Sequence, residues 1–130
     1  GYRTSVVAQE GLIVLEAKLR LRNGSREQIC QRMEELKKKR ITKQPLEYPS
    51  AGSTFKRPEG YFAGKLIMDA GLQGYCVGGA QVSEKHCGFV INTGEATAQD
   101  VRALMQDVTK RVEEKFGVVL EPEVKMLGEF

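Results

Sequence analysis

Three observations predict an α+β fold, a small mixed or antiparallel sheet covered by helices. Short apolar stretches with strand character alternate irregularly with two strongly patterned helical segments, not in the regular strand–helix order of a parallel sheet. Glycine-rich turns separate them, nine of the fourteen glycines falling between Gly52 and Gly94. A chain of 130 residues holds one ordinary domain, so these elements must share a core.

The first element is expected over residues 12–22, where Leu15, Ala17, Leu19 and Leu21 alternate with Glu16, Lys18, Arg20 and Arg22 as in a half-buried strand. Asn23-Gly24 supplies a turn. Ser25, with Gln28 three residues on, resembles a capping box, and Ile29, Met33 and Leu36 continue at helical spacing to about residue 40. A second helix places Phe62, Leu66, Ile67 and Ala70 on one face and stops at Gly71. Strands are expected at 75–82 and 88–92, with Ser83-Glu84-Lys85-His86 as the connecting loop. The best-defined helix starts at the capping box Thr97-Ala98-Gln99-Asp100. It carries Val101, Leu104, Met105, Val108, Val112 and Phe116 in one stripe and ends at Gly117. Short strands are expected at 118–120 and 124–127, around Pro122.

Composition narrows the function. With 41% hydrophobic and 28% charged residues and a net charge of +3, the chain reads as a soluble globular protein. No apolar run has the roughly 20 residues of a membrane-spanning helix, so no membrane partner is expected. Neither an initiator Met nor an apolar signal core opens the chain, which leads us to expect a cytoplasmic protein cut from a longer one. Three cysteines without paired spacing and a single histidine argue against a disulfide framework and a zinc site; no metal is expected.

Charge is uneven. Residues 1–43 carry eleven basic and five acidic side chains, peaking at Lys37-Lys38-Lys39-Arg40. A helix C-terminus favours such cations, and no aromatic platform is interleaved with them, so nucleic acid is not expected as a partner. The segment Tyr48-Pro49-Ser50-Ala51-Gly52-Ser53-Thr54-Phe55-Lys56-Arg57-Pro58 combines turn formers, hydroxyls and two cations. That suits an anion contact as well as a solvated turn, the commoner use of such residues, and it lacks P-loop spacing. His86 beside a strand and the carboxylates of Glu121-Pro122-Glu123 each have a structural and a catalytic reading.

Four motifs break this ambiguity: Pro49-Ser50-Ala51-Gly52-Ser53-Thr54-Phe55-Lys56, Phe62-Ala63-Gly64-Lys65-Leu66-Ile67, the run from Gly78 to His86, and Leu120-Glu121-Pro122-Glu123-Val124. In this order and spacing they resemble the second half of the UDP-N-acetylenolpyruvoylglucosamine reductase family, shorter subtype. The resemblance implies a flavoenzyme that uses FAD and NADPH to reduce UDP-N-acetylglucosamine enolpyruvate to UDP-N-acetylmuramate in peptidoglycan synthesis. It implies catalytic roles for Arg3, within Tyr2-Arg3-Thr4-Ser5, for Ser53 as proton donor and for Glu123. It further implies substrate contacts from Tyr2, Lys43, Arg57 and His86.

Residues 1–23 would close the flavin-binding region and 24–130 would form the substrate-binding domain. The family's N-terminal flavin lobe has no counterpart in these residues, so FAD would be held mainly by that lobe and the chain alone is expected to be flavin-poor. Lys125 stands where Arg is common, leaving its role open. A nucleotide-sugar-binding module without redox activity is the alternative.

Overall fold

A computed structural model describes residues 4–128. The chain divides into two compact units, Gly1–Glu34 and Glu35–Phe130. The first contains a single-turn helix, α1 (Val6–Gln9), and the start of α2 (Arg26–Lys43). The strand expected over 12–22 does not form, and Ile13, Leu15, Leu19 and Leu21 are each at least 80% exposed. A strand persists through ladder bonds to a neighbour, and no described segment pairs with this one. The alternation is present in the sequence without a partner to fix it.

The second unit is an α+β domain, as expected. Its strands are β1 (Ser50–Ser53), β2 (Cys76–Val77), β3 (Ala80–Val82) and β4 (Phe89–Asn92), in the order β1-β4-β3-β2 with every pair antiparallel. Phe89, Val90 and Ile91 are all buried, because β4 lies inside the sheet and presents apolar side chains to both faces. The unit also holds the rest of α2 and two further helices, α3 (Ala63–Asp69) and α4 (Ala98–Phe116), α4 packing on β2, β3 and α3. Leu104, Met105, Val108 and Val112 of α4 join Leu66 and Ile67 of α3 in one core with Ala80 and Val82.

The ends of α4 follow the sequence signals. Thr97 accepts from the Asp100 amide at 3.1 Å, and Asp100 accepts from the Thr97 amide at 2.8 Å. Gly117 closes the helix at φ 68°, its amide donating to the Glu113 carbonyl. Gly71 likewise follows α3 with positive φ.

Two expectations need correction besides the first. The stretch 75–82 is a hairpin, folded back at Gly78-Gly79 so that Val77 pairs with Ala80. A side chain at Gly79 would stand 2.4 Å from the Ala96 amide nitrogen, so only glycine lets the turn lie against the approach to α4. Residues 118–120 and 124–127 form no strands, and among the described residues the ladder contact in this stretch is an isolated bridge between Phe55 and Pro122. Pro122 has no amide hydrogen to extend a ladder.

Hydrogen bonds from the Thr97 backbone and then the Thr97 hydroxyl hold the Asp100 carboxyl below its usual range. A lowered native pKa stabilises the fold above the unfolded-state value, and that contribution is lost as pH falls through the native one. Thr97→Ala is expected to cost about 1 kcal/mol at neutral pH by denaturant unfolding. Asp100→Asn should destabilise at neutral pH, with the deficit shrinking below about pH 4 as the native carboxylate is itself protonated.

Candidate functional site

The residues around Ser53 are shaped by an irregularity in β1. Ser50 pairs with Ile91 and Ser53 with Phe89, three steps on β1 against two on β4, so β1 carries a bulge. Gly52 sits inside it at φ 84°. Past the bulge Ser53 is exposed, while Thr54 and Phe55 are both buried, at 3% and 4% exposure. An ordinary strand would have put two neighbouring residues on opposite faces.

Thr54 then ties three segments together. Its amide donates to the Gly88 carbonyl at 2.8 Å, its carbonyl accepts from the Glu123 amide at 2.9 Å, and its hydroxyl accepts from the Val90 amide at 3.0 Å. The Lys56 amide donates to the Glu121 carbonyl at 2.8 Å, and the Lys56 ammonium pairs with the Glu121 carboxylate. The exit of β1, the start of β4 and the segment 121–123 are thereby held in one place. Ser53, Glu123 and the loop carrying His86 are brought to this junction by the backbone alone.

Glu123 is partly buried and Ser53 exposed, the one sheltered and the other accessible. His86 lies in the loop between β3 and β4, its Nδ1 accepting from the Gly88 amide at 3.1 Å. Its ring meets Phe89 edge-on, centroids 5.0 Å apart. Arg57 donates from Nε to the Tyr61 carbonyl at 3.2 Å and lays its guanidinium 4.0 Å over the Phe62 ring. Both contacts orient an exposed cation. Lys43 is the last residue of α2 and exposed. Tyr2 and Arg3 lie outside the described residues. Lys85, next to His86, pairs with Glu47 at 3.2 Å; the Glu47 backbone amide and then Lys85 hold that carboxyl below the usual range.

Two grooves flank the junction. One of about 360 Å³ is lined largely by apolar groups, among them Pro49, Thr54, Ile91, Val101 and Val124. The other, of about 420 Å³, includes Lys56, Arg57, Tyr61 and Glu121. The junction thus brings together, through its backbone, a segment bearing an exposed hydroxyl and one bearing a partly buried carboxylate, residue types able to give and hold protons.

Residues 44–127 match the family model described as UDP-N-acetylenolpyruvoylglucosamine reductase, C-terminal domain. The chain belongs to this family. It is 66% identical over 128 residues to the UDP-N-acetylenolpyruvoylglucosamine reductase of Lachnoclostridium phytofermentans, covering 98% of this chain and 41% of the relative. It is 67% identical over 129 residues to that of Agathobacter rectalis, covering 99% and 41%. Among solved structures it resembles the UDP-N-acetylenolpyruvylglucosamine reductase of Thermus caldophilus, with a TM-score of 0.62, 38% identity and coverage of 82% of this chain and 38% of that one. The chain thus spans about two-fifths of the length of the relatives it matches.

The sequence reading did not find Gly52 or Thr54, although the run Ser50-Ala51-Gly52-Ser53-Thr54 held a signal. A glycine between hydroxyl residues at a strand edge is a recurrent bulge composition. Two stability measurements test these roles. Thr54→Val strands the buried Val90 amide and should cost about 1–3 kcal/mol, with Thr54→Ser recovering most of it. Gly52→Ala should cost about 1–2 kcal/mol through backbone strain alone, since its Cβ would meet no atom within 4 Å.

Proposed function

We propose that this chain is the substrate-binding and catalytic part of a cytoplasmic reductase acting in peptidoglycan synthesis. With FAD and NADPH the reductase converts UDP-N-acetylglucosamine enolpyruvate to UDP-N-acetylmuramate. Family membership supports the reaction, and the observation that carries this chain's part in it is the exposed Ser53, fixed by the bulge and Thr54 beside the Glu123 segment. Residues 1–23 would close the flavin-binding region, with residues 24–130 as the substrate-binding domain.

The described residues fit one part of the flavin and not another. The apolar groove lined by Ala51, Thr54 and Val124 suits the edge of an uncharged ring. A glycine-rich turn of the GxGxxG kind, one common cradle for dinucleotide phosphates, is absent from the sequence. FAD is therefore held mainly by the N-terminal part of the full-length reductase. When bound, the flavin supplies the hydride that reaches the enolpyruvyl methylene.

This chain's residues deal with the charge and the proton. Negative charge develops on the substrate carbon next to its carboxylate, and a cation at Arg3 stabilises it. Ser53 gives its hydroxyl proton to that carbon. A hydroxyl is a weak acid, and it suffices because a carbanion is a strong base held within reach. Glu123 accepts hydrogen bonds that orient the groups around the substrate carboxylate, a role its partial burial favours. Tyr2, Lys43, Arg57 and His86 hold the diphosphate and sugar, cations matching phosphate charge at short range.

Ser53→Ala in the full-length enzyme separates the two half-reactions. Reduction of the flavin by NADPH should keep its wild-type rate, since no substrate carbon takes part. Reoxidation by the enolpyruvyl substrate should slow by roughly 10² or more. Reoxidation at the wild-type rate would reduce Ser53 to a turn-shaping residue. Arg3→Ala should lower turnover by roughly 10²–10³.

A further inference from the structure

The loop between β3 and β4 is closed tightly on itself. Buried Ser83 accepts the amides of Lys85 and His86 on its hydroxyl at 3.2 and 3.3 Å and donates its own amide to the Phe89 carbonyl at 2.9 Å. The Phe89 amide in turn donates to the His86 carbonyl at 3.0 Å. Within this frame the Gly88 amide donates to His86 Nδ1, and the ring stands edge-on to Phe89. A nitrogen that accepts an N–H carries no proton of its own, so the imidazole making this bond is neutral with its proton on Nε2. An imidazolium has no acceptor nitrogen and cannot make it. His86 is exposed, and Nε2 has no hydrogen-bond partner among the described residues.

Gly88 makes room for the ring: a Cβ there would lie 2.9 Å from His86 Cε1 and 3.1 Å from Nδ1. A Cβ at Gly64, in α3, would meet the Gly88 amide nitrogen first, at 3.1 Å, and His86 Cε1 at 3.3 Å, so Gly64 lets the loop backbone and the ring approach together. Gly88 lies in the turn closed by the Phe89 amide, but it is not among the positive-φ glycines, so the turn does not require glycine there and the missing side chain serves the imidazole.

We propose that Gly88 is a positioning residue, fixing His86 as the Nε2–H tautomer and presenting it as a single neutral N–H donor to an oxygen of the substrate. The substrate half of this inference rests on the reading of His86 as a substrate contact. A neutral donor would add direction without adding charge. It would favour an oxygen at one place over any anion nearby.

The test uses full-length enzyme with ¹⁵N-labelled histidine in mildly alkaline buffer. The expected spectrum has an unprotonated Nδ1, a protonated Nε2 and a scalar coupling across the Gly88 N–H···Nδ1 bond. A protonated Nδ1, or nitrogen shifts averaged between tautomers, overturns the proposal. In steady-state kinetics Gly88→Ala should raise KM for the enolpyruvyl substrate roughly three- to tenfold, the loss of one neutral hydrogen bond, with kcat within about twofold. His86→Gln, which keeps an N–H donor of similar reach, should raise KM less than His86→Phe. If His86→Phe raises KM and Gly88→Ala does not, positioning by Gly88 is refuted and His86 stays a substrate contact. If neither raises it, the substrate contact is refuted, while the nitrogen spectrum still decides the tautomer.

Discussion

Everything at the junction depends on Thr54 being buried with all three of its hydrogen-bonding groups engaged. Thr54 is only 3% exposed, so leaving its amide, carbonyl or hydroxyl bond unmade would carry a desolvation cost. The three bonds reach β4, its entry at Gly88 and the segment at Glu123, and satisfying them at once leaves the backbone one arrangement. The strands themselves are two to four residues long and contribute few ladder bonds. Order at this edge of the sheet therefore comes from a side chain and irregular backbone pairing, while α4 secures the opposite side by burying its apolar stripe.

The division suits the proposed chemistry. In that proposal the groups needing accurate placement are Ser53 and the His86 ring, and both stand on backbone fixed at several points. Charge comes from longer side chains at the rim, with Arg57 steadied by Phe62 and the Tyr61 carbonyl. A proton donor tolerates little displacement, whereas a cation attracts phosphate over a range of positions.

Legibility in the sequence followed the range of the interactions involved. The stripe and both ends of α4 were readable because a helix is decided by residues three and four apart and by caps within one turn. The same holds for α3 and Gly71. The hairpin at Gly78-Gly79 escaped because arms of two and three residues are too short to show a side-chain period. Ser50-Ala51-Gly52-Ser53 has little strand propensity and pairs only because β4 offers an edge, a non-local fact. Residues 12–22 are the reverse case, a clear alternation with no partner among the described residues. Ser53, Glu123 and His86 are ordinary surface residues by type, and neither composition nor spacing distinguished them. The resemblance picked them out, and the geometry added Thr54, Gly52 and Gly88 around them.

The account's central claim, that Thr54 binds three segments into one unit, is tested most directly by native-state hydrogen exchange of the Thr54, Val90 and Glu123 amides. All three should be protected together and open in a single event with a common free energy, since each donates into or across the same residue. Exchange of the Glu123 amide at the rate of an exposed loop, with Val90 still protected, would contradict the claim and leave the 121–123 segment free of the Ser53 site.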